Sequence, residues 1–432
     1  MWKLGKFSLI FLSLAALLLV LAVACEDEEE GEVTPAASPA ATVTETETPT
    51  AGVSTGITDT EIVLGSHFAK SGTYGAAFAP VLAGTEAYFR YVNAEEGGVC
   101  GRQIVFKAED DNYDPARAVE VVRKLIEEDE VFAIVAGLGT AAHSAVWDRL
   151  NEEGIPDLWI MTGAHKWAAD PEAHPWSVPL LPDYFVAGSI TGQYISENMP
   201  GKNVGVIYQN DDFGKDHVDG LKDGLDPDKN EIVAEQSFEA TAVDIRSQVT
   251  NLKNAGADIV FGACIPGHCA QALKYAYQAD WDAQFFISYV NSDVAMFAYA
   301  PPTAVEGAIT LQANKMYDWT DDPAVAEHHR IMSEYGDLPA GNYTIVGHNA
   351  GELTVMALRA ICDNLTREAL MDAVHTIFKD YQGNLSLPGV LTDISETDHL
   401  PIEQMRMLQA KLVDGKGKWE YIGDIISFEQ EE

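Results

Sequence analysis

Hydrophobic positions along this chain switch repeatedly between two patterns, short continuous runs and stripes at helical spacing, and that alternation predicts an α/β fold. Residues 60–68 (TEIVLGSHF) form a run rich in β-formers. Residues 76–93 then place Phe78, Val81, Leu82, Tyr88, Phe89 and Val92 on one helical face, and Gly97 and Gly98 end that helix. Residues 103–108 read as a strand. Asp114 follows as an N-cap with Pro115 in the first turn, and Ala118, Val121, Val122, Leu125 and Ile126 make the apolar stripe of the next helix. Residues 131–136 are a continuous buried strand. The pattern goes on to predict helices over 141–153, 185–198, 214–225, 245–255 and 270–278, and strands over 156–161, 203–209, 231–238, 258–263 and 284–288. Strands alternating with helices through short Gly-rich turns imply mainly parallel sheets flanked by helices. There are too many strands for one sheet, so two lobes are expected. Ligands of such sheets sit in the loops at the carboxyl ends of strands.

Polar and aromatic residues concentrate in those loops. The first strand leads into AKSGTYG, with Ser71 and Tyr74. Residues 131–136 lead into Gly137-Leu138-Gly139-Thr140, whose free N–H groups at a helix start suit a carboxylate. Residues 156–161 lead into Thr162-Gly163-Ala164-His165-Lys166-Trp167, and residues 203–209 into NDDFGKD, with Asp212 and Phe213.

Composition narrows the function classes. Residues 56–432 have an ordinary apolar share and are long enough for two domains. The formal charge of −40, from 27 basic and 67 acidic residues, disfavours binding to nucleic acid or to anionic lipid headgroups. Neither a G-x-S-x-G elbow, nor H-E-x-x-H, nor a Walker motif occurs, and no catalytic or cofactor-binding role is expected. Cys100, Cys264, Cys269 and Cys362 permit two disulfides in three connectivities, or four free thiols. Cys264 and Cys269 bracket a Pro-Gly turn and are the easier pair, which leaves Cys100 for Cys362. His268 lies between them, but the spacing fits no zinc module, and no metal site is expected.

The N-terminus sets the compartment. Lys3 and Lys6 precede an apolar run from residue 7 to residue 24, and small residues lead up to Cys25. Residues 1–24 read as a secretory signal peptide, and the junction resembles a bacterial lipobox in which Cys25 is lipidated. A plain transmembrane anchor is the other reading. Residues 25–56, acidic and then rich in Thr, Ala and Pro, read as an unstructured tether. Either way the remaining chain is placed outside the cytoplasm, held to a membrane.

IVLGSHFAKSGTYG, GGVCGRQIVFKAEDDNYDPARAV, FAIVAGLGTAAHSAV with EEGIP, and VGVIYQNDDFGKD, in this order and spacing, resemble the leucine/isoleucine/valine-binding family of extracytoplasmic substrate-binding proteins of ABC importers. The resemblance runs from residue 57 to about residue 425. It implies the two-lobed periplasmic-binding-protein fold, a ligand cleft between the lobes and closure around a solute. Lobe 1 is then expected over 57–180 and 306–375, with a helix over 349–360 packed in it, and lobe 2 over 181–305 and 376–428. It further implies ABC permease subunits as partners and a monomeric chain.

Carried over by position, Tyr74 matches an aromatic that packs on the ligand, and Thr140 matches a hydroxyl that bonds its carboxylate. Ala164, His165 and Lys166 match a further contact segment, with Lys166 where the family has a hydroxyl. Phe213 matches an aromatic that is often tyrosine. Tyr289 lies where amino-acid binders carry an acid for the α-ammonium, and only Asp293 is near. Gly163–Trp167 (GAHKW) also resembles the segment of members associated with aromatic or other organic acids. Two ligand readings stay open: an organic or aromatic acid held by Thr140 and Lys166, or a branched-chain amino acid with Lys166 in solvent. A ligand-sensing lipoprotein acting through a separate signalling partner is the alternative function.

Overall fold

The structure, a computed structural model, describes residues 54–428. The signal segment 1–24, Cys25 and most of the tether over 25–56 lie outside the described residues.

Two sheets carry the fold. The first contains β1 (Glu61–Phe68), β2 (Gln103–Asp110), β3 (Ala133–Val135), β4 (Asp157–Ile160) and β5 (Ser177–Pro179), all parallel, in the order β2-β1-β3-β4-β5. The second contains β6 (Asn203–Gln209), β7 (Glu231–Phe238), β8 (Ile259–Ala263), β9 (Gln284–Ile287), β10 (Ile309–Gln312), β11 (Gln404–Val413) and β12 (Lys416–Ser427), in the order β12-β11-β10-β9-β8-β6-β7. Its first five strands run parallel, and β11 and β12 close one edge as an antiparallel hairpin. Strands β3, β4 and β8 are buried throughout, as central strands covered by helices on both faces must be. The chain passes between the sheets after β5, after β10 and again before β11. Among the described residues no helix is long and apolar enough to cross a membrane.

Several elements differ from the sequence expectation, each for a physical reason. Residues 141–153 are two short helices, Thr140–Ser144 and Trp147–Glu152. Ser144 Oγ donates to the Thr140 carbonyl at 2.6 Å, a side-chain bond that competes with the helix ladder. Pro266 and Gly267 are not a turn but the first turn of the helix Pro266–Gln278, where proline's fixed φ is favourable. The helix expected over 349–360 is Asn342–Ala360, because Asp293, remote in sequence, caps its start by accepting the Tyr343 N–H at 3.0 Å. Residues 309–312, expected in lobe 1, are β10 of the second sheet, paired with both β9 and β11. The lobe 1 return therefore starts after Gln312. It also extends past residue 375: Phe378 packs edge-on against Trp159 of β4 at 5.1 Å, and Ile394 N–H bonds the Phe378 carbonyl.

Cys100 is bridged to Cys362, with the Cα atoms 5.2 Å apart, and Cys264 to Cys269, 5.4 Å apart. The first bridge ties the turn before β2 to the end of the helix Asn342–Ala360. The second pins the end of β8 to the first turn of the following helix.

Candidate functional site

The cleft opens at the carboxyl ends of β1, β3 and β4 on one side and of β6, β8, β9 and β10 on the other. It spans about 790 Å³ of space between the lobes, open solvent at its mouth included. Its body is aromatic and aliphatic: Tyr74, Phe78, Val81, Leu138, Phe213 and Ile265 line it, with Tyr289 and Tyr343 beyond. Polar groups come in two sets. From the first lobe, Thr140 and Thr162 place their hydroxyls 2.6 Å apart, next to the phenols of Tyr113 and Tyr184. From beyond β9, from the end of β10 and from the crossing after it come Ser292, Gln312 and Asn314. Gln312 Nε2 donates to Ser292 Oγ at 3.0 Å, and Asn349 Nδ2 donates to Asn314 Oδ1 at 2.9 Å. No charged side chain lines the cavity among the described residues. Burial pushes the Tyr184 phenol up to about 12 and that of Tyr113 well above its usual value, so both remain neutral donors.

Local backbone explains how the first set is held. Gly139 has φ +109, and a Cβ there would lie 2.6 Å from the Tyr113 ring, so only glycine lets Thr140 and Tyr113 approach. Tyr113 in turn stacks on Tyr74 with ring centroids 3.7 Å apart.

Of the residues singled out from sequence, Tyr74, Leu138, Gly139, Thr140, Phe213 and Tyr289 line the cavity. Ser71, Ala164, His165 and Lys166 do not. Ser71 Oγ is turned to Asp110, donating to Oδ2 at 2.7 Å, and Ala164 is packed into the core. His165 gives its backbone N–H to Asp216 at 2.8 Å, and its ring lies 2.8 Å from Asp183, whose carboxylate raises the imidazole above its usual value. Lys166 does not line the cavity; its ammonium donates to Asp212 of the opposite lobe at 2.8 Å and to Ser144 at 2.7 Å. Phe213 buries its ring edge-on against Tyr184 at 4.9 Å. Asp293, the acid nearest the expected ammonium position, spends Oδ1 on the Ala295 N–H and Oδ2 on the Tyr343 N–H.

Lys166–Asp212, His165–Asp216 and Tyr74 Oη donating to Gln209 at 3.2 Å join the two lobes across the mouth. The ion pair is half-exposed, and such pairs contribute at most about 1 kcal/mol. Lys166→Ala should therefore weaken every ligand by the same factor, no more than about fivefold, through faster release. Stopped-flow release rates for a carboxylate and its neutral amide check this. Selective loss of the carboxylate would return Lys166 to the ligand.

Tyr113, Thr162, Tyr184, Gln312 and Asn314 were not singled out from sequence. Tyr113 and Thr162 each follow a strand end, which is a usable signal. Tyr184, at the first crossing, offers none, and Gln312 and Asn314 required the placement of β10.

A model of the periplasmic binding protein family matches residues 61–418. The chain is 26% identical over 322 residues to the Leu/Ile/Val-binding protein homolog 3 of Brucella melitensis, covering 73% of this chain and 83% of the relative. Its fold superposes with TM-score 0.73 on a fatty acid ABC transporter substrate-binding protein from Thermomonospora curvata, at 22% identity, covering 87% of this chain and 95% of that one. A solute-binding protein of an R. palustris ABC transporter, in complex with benzoate, superposes at 0.70 with 19% identity, covering 85% and 98%. Two α/β lobes around a cleft of neutral donors, matched by one family model over nearly the whole described length, place this chain in the periplasmic binding protein family.

Proposed function

We propose that this chain is the extracytoplasmic capture component of an ABC importer, and that its solute is a carboxylate with a sizeable apolar body and no α-ammonium group. The carrying observation is the cavity lining, in which neutral hydroxyl and amide donors sit among aromatic and aliphatic side chains with no charge. A carboxylate is satisfied by several hydroxyl donors. An ammonium buried beside no acid is strongly disfavoured, and Asp293 has both oxygens engaged by backbone. A fatty acid ABC transporter substrate-binding protein and a solute-binding protein in complex with benzoate share the fold, which agrees with such a solute. A branched-chain amino acid, the class named by the Brucella relative, would need an acid that the lining lacks. The reading includes Cys25 as the lipid anchor, a monomer that docks on permease subunits, and capture by lobe closure with no catalytic step.

The test is a thermal-shift screen on protein stripped of ligand by unfolding and refolding with its disulfides intact. It uses matched pairs that differ by the amino group, leucine with isocaproate and phenylalanine with hydrocinnamate, together with benzoate and octanoate. Anything that binds only the folded state raises the Tm. Larger shifts from the acids than from their amino-acid partners are expected. Shifts from amino acids alone would overturn the reading.

A further inference from the structure

Beneath the cleft floor of the first lobe lies a line of four side chains, all with no solvent exposure: Asp111, His67, His143 and Asp157. Asp111 Oδ2 is 2.8 Å from His67 Nδ1, His67 Nε2 is 2.9 Å from His143 Nδ1, and His143 Nε2 is 2.9 Å from Asp157 Oδ2. Each residue comes from a different element: β1, the loop after β2, the short helix Thr140–Ser144, and β4. None touches the cavity, yet one end of the line and its middle adjoin residues that do. Asp111 Oδ1 accepts the Tyr113 N–H at 2.7 Å. His143 lies three residues after Thr140 on the same short helix. Gly137, at the root of the Leu138–Thr140 loop, is so close that a Cβ there would lie 2.7 Å from His67 Nε2.

Three contacts at hydrogen-bond distance need one hydrogen each. Two carboxylates bring none and two neutral imidazoles bring one apiece, which leaves a contact empty. If both outer contacts are filled, the inner nitrogens of His67 and His143 face each other with bare lone pairs. A third proton removes that conflict and lowers the buried charge of the group from −2 to −1, which burial favours. The proton belongs to the coupled chain rather than to one residue.

We propose that Asp111, His67, His143 and Asp157 form a three-proton relay that positions the Tyr113 and Leu138–Thr140 loops for solute binding. The other groups facing it are Ser177, whose Oγ donates to Asp157 Oδ2 at 3.1 Å, Trp167, edge-on to His143 at 5.0 Å, and Lys166, whose charge disfavours a cation on His143. Burial also lowers the proton affinity of the His143 imidazole. A proton shared along the line avoids a full imidazolium there.

The test has two arms. The first is independent of any ligand: ring ¹⁵N and downfield ¹H spectra of the full chain should show a hydrogen in each of the three contacts, the inner one carried by His67 Nε2 or His143 Nδ1. An empty contact, inner or outer, overturns the proposal. The second arm rests on the solute-binding reading and uses isocaproate. Asp157→Ala removes the partner of His143 Nε2 and the negative charge that holds the third proton on the line, and should weaken binding by about tenfold or more. Asp157→Asn restores a hydrogen on the same position through its amide and should recover most of that loss. It should also make affinity insensitive to alkaline pH where the wild type declines. Equal weakening by Ala and Asn, or no weakening by Ala, overturns the positioning role. If Asp157→Ala does not fold, Asn against wild type across the pH range decides, and a parallel decline in both overturns it. Failure of isocaproate to bind even the wild type would count against the solute reading, and the ring-nitrogen arm would still stand.

Discussion

Gly220→Val is expected to unfold the second lobe at a markedly lower temperature than wild type, with a loss of about 3 kcal/mol or more. The helices Tyr184–Asn198 and Asp212–Gly224 cross with their backbones almost touching. A Cβ on Gly220 would sit 1.9 Å from the Phe185 carbonyl oxygen, one on Gly224 2.0 Å from that of Ser189, and one on Gly188 2.3 Å from that of His217. Backbone has no rotamer to escape into, so the helices must part along their length. Parting them also moves Phe213, which lines the cleft, and Asp212 and Asp216, which join the lobes, so affinity should fall with stability. Gly267→Ala is the contrast, since its new Cβ meets only Thr73 Cγ2 at 3.8 Å. Within the helix Pro266–Gln278 that exchange should leave stability unchanged or raise it by up to about 1 kcal/mol. Calorimetric Tm values for the two variants check both statements, and equal Tm values would show that the crossing has slack.

The same crossing shows what was legible in the sequence. Strands β1 to β4 and β6 to β9 and most helices follow from apolar runs and stripes, because parallel strands buried on both faces must be continuously apolar; β5, three residues at the edge of the first sheet, was missed because it is too short to carry a run. The cleft was legible through strand-end loops, which is why Tyr74, Thr140 and Phe213 were found. The β11–β12 hairpin was missed although a signal existed. Asp414 and Gly415 both have positive φ, 52° and 77°, the demand of a tight hairpin turn, and Asp-Gly is its usual sequence. The half-exposed flanking strands, rich in Lys, hid it. The place of Lys166 could not be read locally at all. Its partner Asp212 lies in the other lobe, and only the closed arrangement brings the pair together. Asp293 misled for the related reason that a buried acid near a ligand position can be consumed by a helix start from a distant segment.

Thr140→Val should weaken isocaproate binding by about 10- to 150-fold, the worth of a hydrogen bond to a charged group, about 1.5–3 kcal/mol. Valine matches threonine in shape, so the cavity keeps its volume and the change isolates one hydroxyl. Thr140 is 3% exposed, and its hydroxyl sits 2.6 Å from Thr162 Oγ1, with the Tyr113 and Tyr184 phenols beside it. The four groups contain no cation, so a carboxylate among them depends on the number of donors aimed at it. Removing one donor also leaves Thr162 with a poorer partner, which adds to the loss. Because the effect runs through the anion, isocaproamide, the neutral analogue, should lose far less. Thr140→Ser, which keeps the hydroxyl, should lose little with either ligand. Calorimetric titration of the three proteins with the acid and the amide separates the outcomes. If valine weakens acid and amide equally, Thr140 shapes the pocket without bonding the carboxylate, and the anion must be held from the Ser292, Gln312 and Asn314 side instead. Lys166→Ala gives the complementary pattern, a small loss common to all ligands. The two variants together therefore distinguish a contact with the solute from a clasp between the lobes.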